Sequence, residues 1–345
     1  MKKILKRVIL TLVVILLLLM ILPYAIPVAQ YADSITGPYE NSRMVNLDDT
    51  MIHTRHWSPV GKAKANILLV HGFCGSTYNW ESTVPALTEA GYRVLAIDIP
   101  PFGYSDRFPE AGHGLAARNA YAWGAIDAAT GEHSDEDNSK WWLVGHSMGG
   151  GIIEAMAQIK PERTAGLIFV DGGGFSSRGD DSKSIQQSVA RMVMGFGPVR
   201  RWGEVIATHF IFQDDRIRDL CISAAGAPPS EEILNTYLAT LRVPQTASAI
   251  LDMFRSDREA LALDAGTITQ PTLIVWGDED TWVPLSRGEA LHKQIKHSEW
   301  FVIEGMHHMP METHVEAFNG AVVRFLDKHS GNQGKIQVVL PGDTE

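Results

Sequence analysis

The stretch Trp141-Trp142-Leu143-Val144-Gly145-His146-Ser147-Met148-Gly149-Gly150 constrains this chain more than any other. Its apolar half reads as a buried strand, and Ile152-Ile153-Glu154-Ala155-Met156-Ala157 beyond it reads as a helix. Glycines two before and two after Ser147 permit a turn tight enough to present the serine hydroxyl at the edge of a sheet. The helix that starts there aims its unsatisfied amides, with their partial positive charge, at the same point. A serine-bearing elbow of this kind needs a parallel sheet to stand on.

The rest of the chain supplies that sheet. Arg43 to Asp48 and Met51 to Trp57 alternate in polarity around Asp49-Thr50 and read as a hairpin. Apolar strands follow at Asn66 to Val70, Arg93 to Ile99, Trp141 to Val144, Gly166 to Val170, Thr272 to Trp276 and Glu299 to Ile303. Helical segments fall between them at Ser82 to Ala90, Leu115 to Ala129, after Ser147, and at Leu285 to Ile295, with His314 to Lys328 last. Apolar strands alternating with helices predict an eight-stranded, mostly parallel sheet with helices on both faces. The alternation stops between Ser176 and Thr269, where helical periodicity and Pro228-Pro229 predict three or four helices inserted between the sixth and seventh strands. We read 176–269 as a helical cap dividing a core of 43–175 and 270–329, preceded by a polar linker at 30–42 and followed by a loose Gly-rich tail at 330–345.

At 345 residues, 45% hydrophobic and 20% charged, the chain buries a full core. The net charge is −10, yet Lys2, Lys3, Lys6 and Arg7 crowd the N-terminus; setting them aside leaves 26 basic against 40 acidic residues, or −14. An acidic body without a basic, aromatic-interleaved cluster argues against a nucleic-acid partner. The two cysteines, Cys74 and Cys221, have no metal-ligand spacing and read as unpaired thiols. No glycine loop for phosphate appears, so neither a metal nor a cofactor is expected.

The first 29 residues are a membrane segment. An apolar run from Val8 to Leu22 follows the basic residues and continues through Pro23 to Ala29, which gives 22 residues where about 20 span a bilayer. Pro27-Val28-Ala29 is a poor cleavage site, so a retained signal anchor is favoured over a cleaved signal peptide. Either way the basic residues stay cytoplasmic and the body is exported.

A serine hydroxyl needs a positioned base, itself oriented by an acid. The base lies in Glu304-Gly305-Met306-His307-His308-Met309-Pro310, after the last strand, with His308 favoured over His307. The acid lies after the Thr272 strand, where Asp278, Glu279 and Asp280 compete, and Asp171 ends the preceding strand as a fourth candidate. An attacked carbonyl needs two backbone N–H donors for its oxyanion. Met148 supplies one, and the loop His71-Gly72-Phe73-Cys74-Gly75 the other, from Phe73 before Cys74.

From Arg43 to Lys328 the chain resembles the α/β-hydrolase superfamily. Five motifs in order carry the resemblance: His71-Gly72-Phe73, Asp98 to Asp106, Gly145 to Gly150, Trp276 to Asp280 with Val283-Pro284, and Gly305 to Glu312. It implies Asp280, three residues after the strand-ending glycine, as the acid, and His308, before x-Pro, as the base. Pro101 and His307 stand where such proteins often have glycine. Serine at the elbow excludes the dehalogenase and epoxide hydrolase branches, which use aspartate there, and His146 replaces the asparagine frequent in carbon–carbon hydrolases. The expected activity is therefore ester hydrolysis on a small to medium apolar substrate. Hydrolysis of another acyl or carbon–carbon bond, or a non-catalytic tethered binding module, are the alternatives. Met192, Met194, Phe196, Trp202, Phe210, Phe212, Met253 and Phe254 are the cap's apolar stripe, read first as its core and second as a pocket lining.

Overall fold

The computed structural model describes residues 2–28, 39–131, 140–174, 195–255, 261 and 263–330. The tail at 331–345, Met192 and Met194, the first part of the expected cap and most of the expected linker lie outside these residues.

Eight strands form one sheet: β1 (Ser42–Leu47), β2 (Thr50–Trp57), β3 (Asn66–Val70), β4 (Arg93–Ile97), β5 (Trp141–His146), β6 (Thr164–Val170), β7 (Thr272–Gly277) and β8 (Glu299–Ile303). Their spatial order is β1-β2-β4-β3-β5-β6-β7-β8. β2 pairs antiparallel with both β1 and β4, and every other pair is parallel. The hairpin turn is Asp48-Asp49 rather than Asp49-Thr50, because Leu47 pairs with Thr50. Both turn residues take positive φ, 48° and 62°, as a two-residue hairpin requires.

Strand periodicity divides the core into two layers. Leu68, Val70, Leu143, Phe169 and Ile274 face one side, under α3 (Leu115–Gly131), α4 (Met148–Ile159) and α9 (Leu285–Gln294). Ile67, Leu69, Val144, Ile168 and Val275 face the other, under α2 (Val84–Glu89) and α11 (Val315–Ser330). Both faces of the central strands are covered, which is why those strands read as unbroken apolar runs.

Between β6 and β7 the described residues form α5 (Gly197–Ile206), a π-helical turn (Ala207–Ile211), α6 (Asp214–Ala225), α7 (Glu231–Leu241) and α8 (Thr246–Arg255). Phe212, Ile217, Leu234, Leu238 and Leu241 pack into a small cluster of their own. Buried Arg107 ties this layer to the core, donating to Thr246 Oγ1 and the Thr240 carbonyl on one side and to the Ser105 and Gly103 carbonyls on the other.

The N-terminal helix α1 (Lys2–Ala25) is long and apolar enough to cross a membrane, and its Lys3–Ala25 stretch lies almost wholly outside the packed body. Its far end meets the inserted helices. Arg201 donates to the Pro23 and Ile26 carbonyls, Trp202 Nε1 to the Leu19 carbonyl and His209 Nε2 to the Pro27 carbonyl. The Pro23 carbonyl lies in the last turn and lacks an intrahelical partner, and the Leu19 carbonyl is freed because Pro23 has no N–H to offer it; these side chains satisfy both.

Candidate active site

β5 ends at His146, and Ser147 leaves it with φ 49° and ψ −115° before α4 begins. The strained conformation sits on the serine itself. The glycines serve close approach instead: a Cβ at Gly149 would collide with the Val70 carbonyl, and one at Gly145 with the Gly149 carbonyl. The turn is held by the Ser147 N–H donating to the carbonyl of Val170, at the end of the adjacent strand β6, at 2.9 Å. Such strain persists only where the surroundings over-determine it.

The loops after β7 and β8 separate the competing acids and histidines. Asp278 accepts the Gly305 N–H through Oδ1 at 2.7 Å. Glu279 lies 3.3 Å from His307 Nε2, and the His307 ring is packed against Gly226, at the end of α6. Asp280 is buried; its Oδ2 accepts from His308 Nδ1 at 2.7 Å, and its Oδ1 accepts the Trp282 and Val283 N–H groups at 2.8 and 2.9 Å. A carboxylate so held accepts the hydrogen bond of Nδ1–H, which keeps the proton on Nδ1 and leaves the lone pair on Nε2 of His308. Asp171, with φ 45°, accepts the Gly277 N–H at 2.9 Å, and burial together with Asp280 pushes its carboxyl well above the usual range. The geometry thus brings together Asp280 and His308, and leaves Asp278, Glu279 and His307 in other contacts.

Two residues outside the expected set hold the His308 loop. His146 Nε2 donates to the His308 carbonyl at 2.8 Å, and the two rings are 4.7 Å apart. Burial and the neighbouring His308 keep the His146 imidazole well below its ordinary range, hence neutral. Trp282 stacks on the His308 ring at 5.6 Å and 24°, and its Nε1 donates to Ser223 Oγ. The His308 N–H in turn donates to the Ala224 carbonyl, so the inserted helices grip this loop. No local pattern announces these contacts, because each joins segments far apart in the chain.

The loop after β3 is set by its own histidine. His71 Nδ1 donates to the Gly72 carbonyl at 2.6 Å while Nε2 accepts the Ile99 N–H at 2.9 Å. Because the peptide is planar, pinning the Gly72 carbonyl also fixes the direction of the Phe73 N–H. That N–H has no backbone acceptor among the described residues. Cys74 has φ 58°, and burial pushes its thiol up to about 12; Cys221 rises to about 11. Both cysteines are free.

Ser147, His308, Phe73 and Cys74 border one cavity of about 720 Å³. Its walls are mostly apolar, with Ile206, Ile211, Ile217, Leu220, Ile250 and Leu251 from the inserted helices. Of the cap's apolar stripe, Phe212 alone lines it among the described residues. Phe196 and Phe210 are exposed, Trp202 faces α1, and Phe254 packs on Phe73 at 5.8 Å. The elimination has a simple cause: helical periodicity finds an apolar face but not which face meets a cavity.

Comparison with known proteins agrees with this architecture. Residues 65–315 match the model of the alpha/beta hydrolase fold family. A 2-hydroxy-6-oxononadienedioate/2-hydroxy-6-oxononatrienedioate hydrolase of Escherichia coli O139:H28 is 25% identical over 290 residues, covering 83% of this chain and 95% of its own. The structure of a bacterial membrane phospholipase A superposes with a TM-score of 0.64 at 23% identity, covering 96% of this chain and 100% of that one. A meta-cleavage product hydrolase from Pseudomonas fluorescens IP01 gives 0.64 at 23% identity, covering 85% and 98%. With a match across most of its length and an eight-stranded sheet of the same kind, this chain belongs to the α/β-hydrolase fold family.

Proposed function

We propose that the protein is a serine ester hydrolase tethered to a membrane by α1, with residues 176–269 as a cap over the site. Ser147 Oγ attacks the ester carbonyl while His308 Nε2 takes its proton, and Asp280 holds the imidazole in the required tautomer. The Phe73 and Met148 N–H groups stabilise the oxyanion. Collapse expels the alcohol, which leaves with the proton from His308. Water then attacks the acyl-enzyme with His308 as base, releasing the acid and restoring Ser147.

The observation that carries this reading is the cavity's chemistry. It is walled mostly by apolar side chains, it borders Ser147 and His308, and no lysine or arginine lines it among the described residues. Hydrolysis of a carbon–carbon bond is the second reading, favoured by the 25% identity to the Escherichia coli enzyme. That enzyme's named substrates are dicarboxylates, and a mostly apolar cavity without cations is poorly suited to two carboxylates.

The bonds from Arg201, Trp202 and His209 to the end of α1 support a retained anchor, since cleavage there would strip these side chains of their partners. The likeness to the membrane phospholipase A points the same way: its 96% coverage leaves about 14 residues unmatched, fewer than α1 contains. Lys2, Lys3, Lys6 and Arg7 support an orientation with the N-terminus in the cytoplasm and the catalytic body outside it.

The test uses the full chain in detergent. A fluorophosphonate should label it covalently, Ser147→Ala should abolish labelling, and an ester panel should be turned over in preference to a ring-fission dicarboxylate. Failure of the folded protein to label, or preference for the dicarboxylate, overturns the ester reading.

A further inference from the structure

The mostly apolar cavity has one polar pole, and no part of the proposed reaction uses it. Asn79, Tyr237 and Glu312 all line the cavity and form a closed set of hydrogen bonds. Asn79 Nδ2 donates to the Tyr237 hydroxyl and to Glu312 Oε1, each at 2.6 Å, and the Tyr237 hydroxyl donates to the same Oε1 at 3.0 Å. The three come from the 3₁₀ turn Thr77–Trp80, from α7 and from the short helix α10 (Pro310–Thr313), where Glu312 lies four residues past His308. Asn79 is locked in turn, since its Oδ1 accepts the Ser76 N–H at 2.9 Å. The pole therefore stands beside the Phe73–Gly75 loop at a fixed place relative to Ser147.

The bookkeeping of donors is one-sided. Every donor of the cluster that reaches Glu312 is spent on Oε1. The hydrogen bonds to the Glu312 carboxyl among the described residues all go to Oε1, and Glu312 lines the cavity. A carboxyl oxygen left open in an apolar chamber is costly unless something there donates to it. Burial also pushes the Glu312 carboxyl above its ordinary range, against the two bonds to Oε1. A charged ligand is thus not required to complete the site: a hydroxyl can donate to the open carboxyl oxygen.

We propose that Glu312 Oε2, backed by Tyr237 and Asn79, is a subsite for a hydroxyl carried by one arm of the ester substrate. The inference rests on the ester reading above and refines it: the natural substrate is an apolar ester with a hydroxyl, a hydroxyacyl ester or a partial ester of a polyol, rather than a plain alkyl ester. A site built to bond a hydroxyl rejects the analogue lacking it, because its own polar group is then left without a partner.

The experiment compares matched esters differing in one hydroxyl, on the acyl arm and on the alcohol arm, using the full chain in detergent. The wild type should favour the hydroxylated member of one pair by about tenfold or more in kcat/KM, mostly through KM. Glu312→Leu should bring that ratio to one or below, Glu312→Gln should retain part of it, and Tyr237→Phe should lower it while leaving fluorophosphonate labelling intact. An ammonium in place of the hydroxyl should be bound less well; the reverse would make the site one for cations and overturn the proposal. Binding of the same pairs to Ser147→Ala protein, read by thermal shift, separates the two readings. Hydroxyl preference in binding without turnover in the wild type would sink ester hydrolysis alone. Equal binding of both members, or a ratio unchanged in labelled Glu312→Leu and Glu312→Gln proteins, overturns the subsite.

Discussion

Glu154 lies on α4, seven residues beyond Ser147, and none of its surface is exposed. Its Oε2 accepts the Gly174 N–H at 2.9 Å, and Oε1 has no partner. Burial, with a smaller push from Asp264, outweighs that one bond and raises the carboxyl from 4.5 to about 7. The folded chain therefore keeps a proton that the unfolded chain has released. The stabilisation linked to it is fully present below the unfolded value and is lost as pH rises through the folded one. One pKa unit is worth about 1.36 kcal/mol, so going from about pH 5 to about pH 8 should cost about 2.5 kcal/mol through this group alone. Glu154→Gln keeps the shape and removes the titration. Urea unfolding of the detergent-solubilised chain, followed by tryptophan fluorescence at several pH values, gives the difference between the two proteins. That difference should move by about 2.5 kcal/mol in favour of the variant as pH rises. A constant offset, or movement the other way, would refute the burial argument.

Three further outcomes follow from the site. Asp280→Asn should fold, since its remaining oxygen can still accept the Trp282 and Val283 N–H groups, but kcat should fall by about 10⁴ because the amide inverts the His308 tautomer; a loss under tenfold in ester turnover would remove Asp280 from its role. Burial and the neighbouring Asp280 push the Asp171 carboxyl towards its neutral form, which Asp171→Asn mimics, so activity should stay within severalfold and thermal stability should not fall; a loss matching that of Asp280→Asn would make Asp171 the orienting acid. Arg201→Ala should leave the chain in the membrane pellet under carbonate extraction yet lower its melting temperature, because the carbonyls at the end of α1 lose their donor; an unchanged melting temperature would mean that this contact adds no stability.

Much of the sheet was legible because its strands are buried on both faces, so each appears as an apolar run long before it is paired. β8 coincides with the expected Glu299 to Ile303, and β3 with Asn66 to Val70. Ends were less legible: β5 extends to His146 and β6 begins at Thr164, because neighbours in the sheet, not local composition, decide where pairing stops. Among Asp278, Glu279, Asp280 and Asp171, only the family resemblance singled out Asp280; local composition left the four open. All four cluster where strands end, and the direction each carboxyl takes is set by which backbone N–H groups the folded loops offer.

The serine turn shows the division plainly. The sequence by itself determined that a serine would stand between a buried strand and a helix, since apolar runs and glycines are local properties. Only the tertiary structure decided that Ser147 bears the positive φ, that His307 turns to Glu279 while His308 meets Asp280, and that His146 holds the His308 carbonyl. It also decided the cavity, whose polar pole unites Asn79, Tyr237 and Glu312 from segments 158 and 75 residues apart. Hydrogen bonds of a few ångströms between distant segments are products of packing, and packing is not written in any one window of the chain.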